Sequence, residues 1–313
     1  MEPHPLHPLL LRLHRYLALT FALPLLLVVG TGLIISFEPI MAAMPVGGGR
    51  LTAEAFEPAL RRADPDDRAG AIYIDAHAGT FTLGGRRDVA RFVLASGDKL
   101  PSAEEGSGFI RTARGLHQTL LLDDTGETIV IASTVVLILL LVIGLLMGLP
   151  RRIRSTMLGW HKAMGWFLSP LLLLSPATGL MLAYGWLAPP RGAPVPPPAT
   201  LAEAIRIVGA QHDLNEVVWI RRRGPNLIAR VRDGGEWRGF IVGREGLTPQ
   251  PRNWPRLLHE GNWGGAWSGG LNVIVSIALL GLVCTGGVIW WRRRRLRLDA
   301  RARRVAAEAA AGA

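Results

Sequence analysis

Four of the eight histidines in this 313-residue chain stand at positions that repeat. His14 and His161 each precede a base, Arg15 and Lys162, and each lies eighteen residues ahead of a Thr-Gly glycine, Gly32 and Gly179. His117 and His259 lie twenty-seven residues ahead of Gly144 and Gly286. A neutral imidazole is a common ligand of haem iron and of transition metals. Two imidazoles on facing helices hold a planar haem with both axial positions filled, and bundle cores are where such cofactors are built. Pairing by depth joins His14 with His161 and His117 with His259. That makes two haems, one near each face of a bilayer about 30 Å thick. Zinc or copper would want carboxylate or thiolate partners at the same depth, and the inner pair has none. The plainer alternative is that interfacial histidines only pack. Arg15 and Lys162 offer cations to the propionates of an inner haem, although the same charges also serve to orient the chain.

The elements that must hold these imidazoles are membrane helices. The chain is 49% hydrophobic, and four uncharged apolar stretches reach the roughly 20 helical residues that cross a bilayer. The expected spans are residues 13–38, 128–150, 163–186 and 271–291. The first is longer than the ~7–15-residue core of a signal peptide. It also has a near-copy inside the chain: LRLHRYLALTFALPLLLVVGTGLII against LGWHKAMGWFLSPLLLLSPATGLML. It is therefore read as retained. The spans carry no buried acids and no broken helices for ion coupling, which argues against an ion-coupled transporter.

Short flanks rich in Lys and Arg stay cytoplasmic. Arg12 and Arg15, then Arg151, Arg152, Arg154 and Lys162, then Arg292 to Arg295 and Arg297, all fall on one side. The expected layout is a cytoplasmic tail (1–12), a cytoplasmic link (151–162), a basic cytoplasmic tail (292–313) and two outer segments (44–127 and 189–270). The net charge of +11 mostly reports this anchoring in membrane lipid, so no nucleic-acid partner is needed.

Each outer segment reads as a helix followed by three strands. LTAEAFEPALRRA precedes AIYIDA, TFTLGG and ARFVLA; ATLAEAIRIVGA precedes EVVWIRR, NLIARVR and RGFIVG. The strands alternate apolar and polar residues between glycine-containing turns. The expected fold class is an integral membrane α+β protein: a four-transmembrane-helix bundle with two extracytoplasmic helix-plus-three-strand domains, internally duplicated. Internal repeats in membrane proteins often place a site between the halves.

The remaining candidates carry less. His4 and His7 belong to the tail, and His77 and His212 read as surface residues. The single Cys284 cannot form an intrachain disulfide, and no CxxCH is present for covalent haem. Gly30, Gly32, Gly144, Gly179 and Gly286 allow close approach of helices or of a flat ring. Trp254, Trp263 and Trp267 surround His259 as an aromatic surface or an interfacial belt. From Arg191 to Glu260 there are 11 Arg against 7 acids, whereas Arg50 to Glu127 has 10 bases against 13 acids. An anionic ligand would therefore favour the second segment, at Arg221, Arg222 and Arg223.

Histidine-led spans, a Thr-Gly late in the odd spans and two helix-plus-sheet segments together resemble the PepSY-associated transmembrane family over nearly the whole chain. Its characterised members include inner-membrane di-haem ferric-siderophore reductases. The resemblance implies two PepSY-like outer domains, b-type haem ligated by His14, His117, His161 and His259, and electrons reaching a ferric chelate or siderophore outside. Some relatives carry a fused flavin reductase domain, which this sequence lacks, so the expected donor is membrane quinol or a separate reductase. The alternative is a membrane-anchored PepSY binding or regulatory protein without enzymatic activity.

Overall fold

The computed structural model describes residues 7–44, 49–84, 89–101, 108–149, 155–190 and 193–311; His4, Arg151, Arg152 and Arg154 lie outside them. In chain order the first elements are α1 (His7–Thr20), α2 (Ala22–Ile35), α3 (Glu38–Ala42), α4 (Ala53–Ala63), β1 (Ala71–Asp75), β2 (Thr80–Gly84), β3 (Val89–Val93), α5 (Gly108–Thr119) and α6 (Asp123–Leu146). Then follow α7 (Met157–Phe167), α8 (Ser169–Ala183), α9 (Leu201–Gln211), β4 (Val217–Arg223), β5 (Asn226–Asp233), β6 (Glu236–Gly243), β7 (Gly246–Pro249), α10 (Trp254–Glu260) and α11 (Ala266–Ala311). They form two units. A helical unit comprises Met1–Ile35, Thr112–Ala183 and Val273–Ala313, and a sheet unit comprises Ser36–Arg111 and Tyr184–Asn272.

Ala22–Ala42, Asp123–Leu146 and Ala266–Ala310 are long and apolar enough to cross a membrane. A fourth span arises if α7 and α8, bent by 66° at Leu168, count as one. The sequence predicts an unbroken third span over 163–186; the structure bends it instead. Proline explains the break. Pro170 has no N–H to give the Trp166 carbonyl, and that carbonyl instead accepts from the Ser169 hydroxyl at 2.8 Å. The first stretch breaks as well, at Phe21, with Pro24 in the first turn of α2, where a missing N–H costs little. Both breaks fall seven residues after a histidine, His14 or His161.

α6 packs against α1, α2, α7 and α8. One apolar cluster joins Val29 of α2, Leu141 of α6, Leu172 of α8 and Val275, Ala278 and Leu279 of α11. A second joins Leu25, Val136 and Leu140, with Leu17, Ala18 and Val283 against them. The described parts of the expected tails are helical: α1 starts at His7, and α11 continues through the basic segment to Ala311. Its 46 residues extend about 69 Å at 1.5 Å per residue.

The sheet unit corrects the expectation of two separate three-stranded domains. All strands among the described residues belong to one antiparallel sheet, ordered β3-β2-β1-β4-β5-β6-β7. β1 pairs with β4 through Ala71↔Arg221, Ile72↔Ile220 and Tyr73↔Trp219. Two three-stranded sheets would each have exposed another row of unpaired backbone groups; joining them satisfies both rows. The short β7, absent from the sequence reading, lengthens the far edge and ends on Pro249.

α4 and α9 cover one face of this sheet. Phe56, Ala59 and Leu60 from α4 and Leu201, Ala204, Ile205 and Val208 from α9 meet Ile72, Phe81, Ile220, Val231 and Val242 from the strands. The period-2 alternation sets which face is buried: Ile72 and Ile74 are buried, and Tyr73 and Asp75, which alternate with them, are exposed. Both helices start on a threonine cap, with Thr52 accepting from Ala55 N–H at 3.2 Å and Thr200 from Glu203 N–H at 3.1 Å.

Candidate functional site

α1 and α7 bring His14 and His161 together. Their ring centroids lie 6.5 Å apart with the planes at 88°. The His161 ring is oriented by α11, because its Nδ1 lies 2.8 Å from the Thr285 hydroxyl oxygen. That hydroxyl donates its only proton to the Gly281 carbonyl at 2.6 Å. Its oxygen therefore accepts from Nδ1–H, and the neutral His161 ring carries its lone pair on Nε2. A partner that fixes the tautomer in this way is what a metal-binding histidine requires. Gly286, next to Thr285, leaves room for the ring; a Cβ there would rest 3.5 Å from His161 Cε1.

His14 is held differently. Its Nδ1 is buried without a hydrogen-bond partner. The Leu140 carbonyl of α6 faces the ring without closing a bond to Nδ1.

The ring separation can be set against that of two axial imidazoles on an iron porphyrin. Metal–imidazole bonds of about 2.05 Å and a five-membered-ring radius of about 1.15 Å put two axial imidazole centroids about 6.4 Å apart. The observed 6.5 Å agrees with this and lies at the open end of the roughly 4.5–7 Å range for direct aromatic packing. Among the described residues no three His, Cys, Asp or Glu side chains converge. A zinc site, which needs four ligands, therefore lacks its donor set, whereas a porphyrin brings four nitrogens and asks the protein for two.

His117 sits on α5 with Nδ1 2.9 Å from the Val28 carbonyl of α2. A carbonyl only accepts, so Nδ1 holds the proton and Nε2 the lone pair in the neutral ring. The approach depends on Gly32, where a Cβ would come within 3.0 Å of His117 Cε1. It also depends on the reversal between α5 and α6, which runs through Leu120, Leu121 and Asp123, all at positive φ. There the Thr119 carbonyl occupies the space a Cβ on Gly126 would need. This reversal returns His117, ten residues ahead of the expected second span, to α2.

His259 belongs to the sheet unit, on α10. That helix is capped by Asn253, which accepts from Arg256 N–H, and it ends at Gly261 with φ 70°. The His259 carbonyl accepts from the Asn272 amide at 3.2 Å. The structure thus brings His14 and His161 together, seats His117 on α2 and places His259 in the other unit.

Arg15 stacks over Tyr16 at 5.0 Å, and Lys162 is exposed; neither makes an ion pair among the described residues. Trp263 and Trp267 meet edge-on at 4.7 Å. His212, expected on the surface, is half-buried against Phe240 with centroids 4.9 Å apart, while His77 is exposed. Sequence reading overlooked Thr285. The signal was present, because Thr-Gly occurs at 285–286 as it does at 31–32 and 178–179.

A comparison with curated proteins finds no match. The family model described as the PepSY-associated TM region matches residues 11–293, and the chain belongs to that family of multi-pass membrane proteins.

Proposed function

We propose that this protein is a membrane di-haem b electron-transfer protein of the bacterial inner membrane. In this reading it delivers electrons to a ferric chelate, such as a ferric siderophore, on the outer side. The observation that carries the reading is the His161 ring, locked by Thr285 with its Nε2 lone pair available and paired with His14 at 6.5 Å. Haem held by these two rings would supply one-electron ferric–ferrous chemistry. The chain's own residues do the rest. Thr285 fixes the tautomer and tilt of His161. Leu25 of α2 and Val136 and Leu140 of α6 form an apolar cluster against which Leu17 and Ala18 of α1 pack. Arg15 and Lys162 supply positive charge beside the two ligands for propionates.

Sequence register assigns the second haem to His117 and His259, and the Val28 carbonyl gives His117 the same tautomer as His161. The basic flanks favour cytoplasmic termini and outer segments on the periplasmic side. The donor is membrane quinol or a separate reductase.

The test uses haem-loaded protein in liposomes, with quinol in the bilayer, ferric citrate outside and an impermeant ferrous-capture dye. Ferrous iron should form at a rate set by the protein and should be lost in His161→Ala. An undiminished rate in His161→Ala would reject the proposal.

A further inference from the structure

The sheet face opposite α4 and α9 carries a dense basic and aromatic surface. Trp219, Arg221 and Arg223 alternate along β4 on this side, while Arg222 lies on the other. Trp219 pairs across with Arg230 of β5, and Arg230 pairs with Gly239 of β6. Together with residues 250–253 and α10, these strands enclose a cleft of about 130 Å³, lined by Trp219, Arg223, Arg230, Trp237, Arg252 and Arg256. Gly239 lets the rim close, since a Cβ there would come 2.7 Å from Gln250 Oε1.

The charges in and around this cleft do not balance. Arg252 pairs with Glu236 at 2.7 Å and Arg238 with Asp233 at 2.9 Å. Arg230 and Arg256 share one carboxylate, Glu260, at 3.1 Å each. Arg221 and Arg223 have no ion-pair partner among the described residues. Arg221 instead donates to the Tyr73 hydroxyl at 3.1 Å and lies 4.4 Å over Trp219. Six guanidiniums thus face three carboxylates. Burial, with Arg221 and Arg256 nearby, lowers the pKa of Arg223, and burial lowers that of Arg230. Arg230, only 14% exposed, is held in a setting that penalises its charge, while Arg223 lies exposed at the strand end beside Arg221 and Arg256. Crowded, partly desolvated cations are costly until an anion enters.

We infer that this cleft receives a carboxylate arm of a ferric polycarboxylate chelate, so that anionic chelates are preferred over neutral trihydroxamate ones. This rests on the reading of the protein as a ferric-chelate reductase and names its substrate class. The volume suits one carboxylate-sized group rather than a whole chelate, and guanidinium forks match carboxylate oxygens in pairs. Trp219 and Trp237 wall the cleft on either side of Arg230 with flat apolar surface.

The test measures binding to the full-length, detergent-solubilised protein through tryptophan fluorescence. The probes are gallium citrate and the neutral gallium trihydroxamate, neither of which requires electron transfer. The double variant Arg221→Gln/Arg223→Gln should lower the citrate-to-trihydroxamate affinity ratio about tenfold at low salt, with the difference shrinking as salt screens it. Arg223→Lys should retain most of the preference. An unchanged ratio in the double variant, or a wild-type preference for the neutral probe, would overturn the inference. So would tight binding of a glutamate-rich peptide that gallium citrate fails to displace. Colourless protein would sink the haem reading without altering this result, and red, active protein with an unchanged ratio would sink the cleft alone.

Discussion

Replacing Thr285 by Val tests the site at its most specific contact. Val keeps the shape of Thr but removes the oxygen that accepts from His161 Nδ1–H at 2.8 Å. The fold should tolerate this, because the Gly281 carbonyl bonded by the hydroxyl keeps its helical acceptor role toward the Thr285 backbone N–H. What is lost is the partner of a half-buried imidazole N–H. Leaving such a donor unsatisfied costs about 1–3 kcal/mol. Removing the outer partner of a ligating histidine typically weakens the bound centre about 10–100-fold. Thr285→Val should therefore lose inner-haem occupancy through purification and dilution, while Thr285→Ser should keep it. The assay is haem released per protein, read by pyridine haemochrome, alongside thermal unfolding as a fold control. Full occupancy in Thr285→Val, or equal loss in the Ser variant, would refute the reasoning that Thr285 sets the ligand tautomer.

Two glycines next to the proposed ligands should respond differently. Gly32→Ala puts a methyl 3.0 Å from His117 Cε1 and should displace that ring and lower the second haem's absorbance, whereas Gly286→Ala makes an ordinary 3.5 Å contact and should preserve the inner one. Gly126→Ala drives a methyl into the Thr119 carbonyl at the α5–α6 reversal. It should destabilise by more than about 4 kcal/mol and appear as loss of folded protein on size-exclusion chromatography.

Local chemistry was legible in the sequence, and long-range pairing was not. The helix-then-strands order of each outer segment and the alternation of Ile72 and Ile74 depend on neighbours within a few residues, and the doubled histidines show as a repeat of the chain itself. The joining of β1 to β4 depends on strands more than a hundred residues apart, and nothing in AIYIDA or EVVWIRR names its partner. The break at Leu168 was signalled by Pro170, which the apolar run concealed as one continuous span. Arg, Leu and Ala after residue 291 are strong helix formers, so the extension of α11 follows from propensity, although charge made the segment read as a tail. Thr285 and the Val28 carbonyl were hidden for different reasons. One resembles any small polar residue in a span, and the other is backbone, which sequence does not distinguish.

The central claim is that imidazoles from α1 and α7 grip an iron porphyrin. The most direct measurement is the visible spectrum of purified protein, oxidised and then reduced with dithionite, for wild type, His14→Ala and His161→Ala. Wild type should give low-spin b-type bands at two haems per chain, with each variant losing the same single haem. Colourless wild-type protein, or variants that keep both haems, would contradict the account.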